Sequence, residues 1–199
     1  MLYRIAISII LFSVALSIKP ETDTLYINVE QSKLRWEGSK VSSSHYGHID
    51  IKEGYIVLDS YGGIVGGRID IDMNSMECDD IQNPESSGYL VSHLKGDDFF
   101  SVSNFPVSSL TIDGSKQLKP SSRIYNNKIL GKLKIKGISH PIAFPLMIEH
   151  DTEKSYAQGE INFDRTLWGI KYNSSKYFPE IGDRMILDLI NLQFYIETK

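Results

Sequence analysis

From residue 25 onward the apolar residues of this chain recur at every second position, the spacing of strands that bury one face. Leu25, Ile27 and Val29 open the series; Leu34, Trp36 and Gly38 continue it, with Lys33, Arg35 and Glu37 on the opposite face. His45 to Ile51 and Gly54 to Asp59 read as a hairpin turning at Lys52-Glu53-Gly54. Val65, Gly67, Ile69, Ile71 and Met73 share one face of the next strand, and Arg68, Asp70 and Asp72 the other. In the second half, Asn126-Asn127 falls between Arg123-Ile124-Tyr125 and Lys128-Ile129-Leu130, a two-residue turn signal because Asn tolerates positive φ. Leu133 and Ile135 then alternate with Lys132, Lys134 and Lys136. Ile142, Phe144, Leu146 and Ile148 mark another strand, and Ala157, Gly159, Ile161 and Phe163 the one after it. A long last strand carries Ile186, Ile190, Leu192, Phe194 and Ile196, its pattern broken only by Asp188.

This count predicts an all-β domain of eight or nine strands with one or two short helices. So many half-apolar strands must bury their faces on one another, as a sandwich or a closed barrel. Strand length favours the barrel, as do Gly66, Gly67, Gly131 and Gly159 inside strands, where a strongly bent sheet needs small residues. A barrel of eight antiparallel strands is filled by side chains or holds one small ligand.

One segment breaks the alternation. His93-Leu94-Lys95-Gly96-Asp97-Asp98-Phe99-Phe100 carries a short helix signal that ends in two adjacent aromatics, followed by Phe105-Pro106 and a new apolar run. It reads as a mouth element docked on the sheet by Phe99 and Phe100, either a lid over a cavity or a plug in one barrel end.

The chain has 199 residues, enough for one domain with a substantial core. Its formal charge is −4 and its lysines and arginines are scattered, so no basic run follows a phosphate backbone and no nucleic-acid partner is expected. Arg4 precedes a nearly continuous apolar run from Ile5 to Leu16, and Ala15-Leu16-Ser17 supplies a small-x-small site for cleavage after Ser17. A dozen apolar residues fall short of the roughly 20 that span a bilayer, so residues 1–17 read as a signal peptide, with an uncleaved anchor as the alternative. Residues 18–24 would then be a linker and 25–197 the folded domain of a periplasmic or secreted protein, without stable membrane insertion after cleavage. No cysteine stands directly after the apolar run, which argues against a lipoprotein anchor. The single cysteine, Cys78, leaves no disulfide framework, and its neighbours Glu77, Asp79 and Asp80 disfavour a reactive thiolate. It reads as structural.

Candidate chemistry is sparse. His45 and His48 are three apart, which on a strand sends them to opposite faces. Asp70 and Asp72 share the polar face, while Asp79-Asp80 and Asp97-Asp98 lack calcium-loop spacing. No metal site is expected. No serine stands in a Gly-x-Ser-x-Gly elbow, and there is no phosphate loop or dinucleotide fingerprint. Neither a cofactor nor an enzymatic activity is expected. Arg165 and Asp183 read as a pair that fixes the loop before the last strand, with independent surface charges as the alternative.

Several landmarks occur in a fixed order. They are Tyr26-Ile27-Asn28, Ser32 to Trp36, Gly47-His48-Ile49 leading to Gly54, Gly66 to Ser75, and His93-Leu94 through Phe99-Phe100 to Phe105-Pro106. Gly131 to Pro141, Phe163-Asp164-Arg165 to Trp168-Gly169-Ile170, and Ile181-Gly182-Asp183 complete the set. Jointly they resemble the YceI family of bacterial periplasmic or secreted proteins over about residues 25 to 197. Trp36, His45 and Trp168 stand where its best-known members carry other residues, so the chain resembles a variant group. The resemblance implies an extended lipocalin-like antiparallel barrel, no catalytic residues, and an interior that takes a long amphiphile: a polyisoprenoid or the tail of an isoprenoid quinone.

A barrel enclosing a prenyl chain needs inward apolar side chains with gaps, and gains about 0.8 kcal/mol per CH₂ buried. The candidates are Trp36, Ile69, Ile71, Leu133, Ile135, Phe144, Phe163 and Phe194, joined at the mouth by Leu94, Phe99 and Phe100. Ile161, Ile190 and Leu192 share the inward pattern. For each the alternative is simple core filling. His93 is placed to bond a ligand's polar end, such as a quinone carbonyl, or merely to face solvent. The expected function is a carrier or scavenger of an apolar ligand. A filled barrel serving as a stress-response or interaction module is the alternative, and an enzyme acting on a barrel-bound lipid a weaker one. Exposed strand edges allow a homodimer without demanding it.

Overall fold

The computed structural model describes residues 21–119, 124–151 and 154–199; the proposed signal peptide lies outside them. Nine strands form one antiparallel sheet: β1 (Thr22–Tyr26), β2 (Lys33–Lys40), β3 (Ser44–Asp59), β4 (Ile64–Asp72), β5 (Val107–Gln117), β6 (Asn127–Ile135), β7 (Ile138–His150), β8 (Ser155–Asp164) and β9 (Ile186–Glu197). β2 pairs with β9 and β3 with β4, so the eight strands β2 to β9 close into a barrel. β1 is the ninth, laid against the far half of β3 through Tyr26↔Tyr55 to Thr22↔Asp59. The expected all-β antiparallel barrel is the fold. The strand begins at Thr22, three residues inside the segment read as linker, because this pairing extends it.

Four local readings are corrected by the register. Ser44 to Asp59 is one continuous strand and does not turn at Lys52-Glu53-Gly54; the pairing with β4 slips between Ile51 and Glu53, so Lys52 is a bulge that bends the strand. Val65 is 43% exposed and Ile64 buried, because a second slip, between Val57 and Leu58, reverses the alternation there. Ile124 and Tyr125 are not in a strand. Asn126-Asn127 is not a turn either: Asn127 opens β6, and the Asn126 side chain bonds both the N–H and the C=O of Ile148 on β7.

The single α-helix among the described residues, α1 (Pro84–Lys95), lies in the connection from β4 to β5. Asn83 caps it by accepting from the Ser86 N–H, Pro84 sits in its first turn, and His93 and Lys95 close it before Gly96. The His93–Phe100 helix signal is thus the tail of a longer helix. A short 3₁₀ turn over Met73–Ser75 precedes it, and others span Arg165–Trp168 and Gly182–Arg184.

Pairing between β7 and β8 runs only from Leu146↔Gly159 to His150↔Ser155. Beyond Leu146 the facing β7 residues include Pro145 and Pro141, which have no N–H to give, so the seam opens. Trp168 closes it. Its ring is buried edge-on against His140 of β7 and Phe163 of β8, and its indole N–H donates to the Leu133 carbonyl at 3.1 Å.

Candidate ligand cavity

The interior divides into two halves along the strands. Toward β1 it is packed solid by Ile56, Ile64, Leu110, Ile112, Ile129, Phe144, Leu146 and Ile196, with Phe144 and Phe194 in edge-to-face contact at 5.7 Å. Toward α1 the same strands surround a cavity of about 420 Å³, within the range of small-molecule sites. On β9 its wall runs from Ile186 to Leu192, on β2 from Trp36 to Lys40, and on β6 it holds Leu133 and Ile135.

The roof is α1 and the residues after it. Ser86, Tyr89, Leu90, His93 and Leu94 line the cavity at the three-and-four spacing of one helical face. No residue of α1 is buried, and Tyr89 is 77% exposed; only half-buried Leu94 packs the helix against the core, so α1 covers the opening more than it fills it. Its last turn is pinned from outside, where the Lys95 ammonium donates to the Asn74 carbonyl at 2.7 Å. Phe99 and Phe100 both line the cavity, and Phe99 contacts the rings of His93 and Tyr172 at 5.1 and 5.4 Å.

Of the eleven expected site residues, eight border this space: Trp36, Ile71, Leu94, Phe99, Phe100, Leu133, Ile135 and Phe163. Ile69, Phe144 and Phe194 do not; they lie farther along their strands, in or against the packed half. Inward parity gives the face of a strand but not the depth along it. Ile190 and Leu192 also line the cavity, whereas Ile161 belongs to the packed core. His93 lines the wall with its ring set against Phe99 and Tyr172. Tyr89, Leu90, Met73, Met76, Ile170 and Tyr172 also line the cavity and were not among the expected site residues, although Met73 shares the strand face of Ile71. For the first two a signal existed, since Asn83-Pro84-Glu85 opens a helix and residues 86, 89, 90, 93 and 94 share its face.

Two polar assemblies hold the hollow half. The first centres on Arg165, 1% exposed, which pairs with Asp188 at 3.2 Å and not with Asp183. Its guanidinium also donates to the carbonyls of Ile170, Ile186 and Leu187. Burial pulls it below its ordinary pKa, opposed by the charges of Asp188 and Asp164, yet an arginine stays charged. The break that Asp188 makes in the β9 pattern is therefore the anchor of a buried cation. Ser174, fully buried, donates to the same carboxylate.

The second is a strap, residues 76–83, laid along the start of β3. The N–H groups of Glu77 and Asp79 donate to the carbonyls of His48 and Tyr46. A Cβ on Gly47 would stand 1.9 Å from the Glu77 carbonyl, so only glycine allows the approach. The Trp36 indole N–H donates to that carbonyl at 3.0 Å. His48 reaches Asp79 at 2.9 Å on the outer face, while His45, which lines the cavity, holds Asp80 at 2.8 Å. Burial opposes the Asp80 charge, but bonds from His45, the Tyr46 N–H and the Cys78 thiol outweigh it and hold its carboxyl below the ordinary range. Burial and then Asp80 push the Cys78 thiol upward, as suits a structural cysteine. Among the described residues no group of three or more His, Cys, Asp or Glu side chains could hold a metal ion.

The sequence matches the family model described as YceI-like domain over residues 25–198. No curated protein matches it. Among solved structures, BcnA of Burkholderia cenocepacia superposes with a TM-score of 0.63 at 14% identity, over 87% of this chain and 99% of that one. A polyisoprenoid binding domain from Saccharophagus degradans gives 0.59 at 11%, over 91% and 99%. The YceI protein of Campylobacter jejuni gives 0.52 at 16%, over 99% and 93%. At these identities the superpositions speak to the fold, a barrel shared along nearly the whole length. The family model covers all nine strands except the first three residues of β1, together with the cavity they enclose, and on that match the chain belongs to the YceI-like domain family.

Proposed function

We propose that the protein is an exported, non-enzymatic carrier or scavenger that holds the apolar tail of an amphiphile, an isoprenoid by preference, in the hollow half of its barrel. The observation that carries this is the cavity of about 420 Å³, walled by aliphatic and aromatic side chains and roofed by a helix with no buried residue. Each CH₂ moved from water into such a wall gains about 0.8 kcal/mol, so a tail of a few prenyl units needs little polar help. The family membership and a relative described as a polyisoprenoid binding domain support the choice of tail. Export rests on the apolar run Ile5–Leu16 and the Ala15-Leu16-Ser17 site. Among the described residues no helix is long and apolar enough to cross a membrane.

The test is to express the full chain in a bacterium, purify it, extract it with organic solvent and identify the extract by mass spectrometry. An isoprenoid recovered in near-stoichiometric amount supports the reading. An empty extract, together with no uptake of an apolar fluorescent dye, would overturn it in favour of a filled interaction module. Intact mass shows in the same preparation whether the chain begins after Ser17.

A further inference from the structure

Polar groups are a minority in the cavity wall, and the hydroxyls of Ser39, Ser86, Ser108, Tyr89 and Tyr172 can each give or accept. Of its two cations, Arg165 is taken up by Asp188 and three carbonyls, and Lys40 is exposed at the rim. The Trp36 indole N–H is given to Glu77. His45 differs. Its Nδ1 lies 2.8 Å from Asp80 Oδ2, while Asp80 Oδ1 accepts from the Tyr46 N–H at 3.0 Å and the Cys78 thiol at 3.3 Å. An ionised carboxylate only accepts, so Nδ1 carries a proton and the lone pair of the neutral tautomer falls on Nε2. No described residue bonds that nitrogen.

Resting on the carrier reading above, we propose that the cavity selects amphiphiles whose polar end is a neutral hydroxyl, which donates to His45 Nε2. An ether or carbonyl end has no proton to give. An anionic end, phosphate or carboxylate, meets the charge of Asp80 behind the ring, while the free cation of the wall, Lys40, stands exposed at the rim, where solvent screens it. His93 imposes no such choice, because no carboxylate fixes its tautomer; only rings flank it.

Three probes with one tail decide the matter: farnesol, its methyl ether and farnesoic acid, each displacing an apolar fluorescent dye from the purified protein at about pH 8. Farnesol is expected to bind about 3- to 10-fold tighter than the ether, the worth of one net hydrogen bond, with the acid weakest. His45→Phe should bring the farnesol-to-ether ratio to about one. Asp80→Asn should narrow it, since the new amide can turn its NH₂ toward Nδ1 and release the tautomer. Equal binding of farnesol and ether by the unaltered protein, or tightest binding of the acid, would overturn the hydroxyl assignment and leave the carrier reading standing. Displacement by none of the three overturns both. The ratio in the unaltered protein decides the question even where a variant does not fold.

Discussion

The two halves of this barrel are built from the same strands with the same alternation, yet one is solid and the other hollow. Near β1 the inward positions carry Ile129, Phe144, Leu146 and Ile196, each at most 5% exposed and all in one core cluster. Near α1 the inward positions include Gly38, His45 and Ser108, too small or too polar to meet in the middle. The solid half is held from within by packing. The hollow half is held from around its wall, by Arg165 tying its turn to β9 and by the strap on β3, so its shape does not depend on filling it. A binding space can persist unfilled when its walls are braced by hydrogen bonds to their own backbone, and the two halves should therefore answer differently to substitution.

The largest effect is expected at the brace. Arg165→Ala strips half-buried Asp188 of its nearer cation, leaving it Ser174 and Lys176, and leaves three carbonyls without that donor, at a cost of about 3–5 kcal/mol in urea denaturation. A loss under about 1 kcal/mol would mean that packing, and not this cation, holds the hollow half. Phe144→Ala in the solid half should cost a similar 3–5 kcal/mol by opening a void that its neighbours cannot collapse. Phe100→Ala only enlarges a space that already exists, so it should cost about 1 kcal/mol in stability while weakening uptake of an apolar dye. Equal destabilisation by the two Phe substitutions would erase the contrast between the halves.

A smaller change sharpens it. A Cβ built on Gly38 meets only Ile190 Cδ1, at 3.6 Å, so a side chain there enters the cavity without displacing backbone. Gly38→Met should fill the hollow half with little change in melting temperature and should sharply reduce dye uptake. Undiminished uptake would place the ligand elsewhere.

The sequence carried the architecture because a half-buried strand advertises itself residue by residue. Eight of the nine strands can be read from alternation beginning at Leu25, and two of the four misread places are Lys52 and Val65, where a single extra residue shifts parity without altering composition. The candidate site was legible only as a face. Ile69 and Ile71 have the same pattern, yet only Ile71 reaches the cavity, because depth is set by what stands opposite in other strands. The polar braces were the least legible. Arg165 meets Asp188 across 23 positions and His45 meets Asp80 across 35, separations that no local spacing rule records. Asn83-Pro84 is the exception, a helix start written in adjacent residues and overlooked beside the stronger aromatic signal at Phe99-Phe100.

Acid tests the braces without altering any packed residue, and the effect should be the smallest of the set. Burial opposes the charges of Asp80 and Asp164. Hydrogen bonds from His45, Tyr46 and Cys78 to the first, and from Lys176 and Thr166 to the second, outweigh it and hold both carboxyls below the ordinary value. A carboxyl whose folded pKa lies below its unfolded one adds stability that is complete above the unfolded value, about 3.9, and is lost as pH falls through the folded one. Melting temperature should therefore hold from neutrality down to about pH 4 as far as these two groups are concerned, then decline. Both carboxyls belong to the hollow half, one on the strap and the other bonded to Thr166 in the turn that carries Arg165. Hydrogen exchange below about pH 4 should accordingly quicken in α1 and residues 165–174 before it quickens in β6 and β7. In the Asp80→Asn, Asp164→Asn double variant that lead should shrink, because the charges that acid removes are already gone. Simultaneous loosening of both halves in the unaltered protein would show that the barrel melts as one unit and that the braces do not hold the hollow half separately.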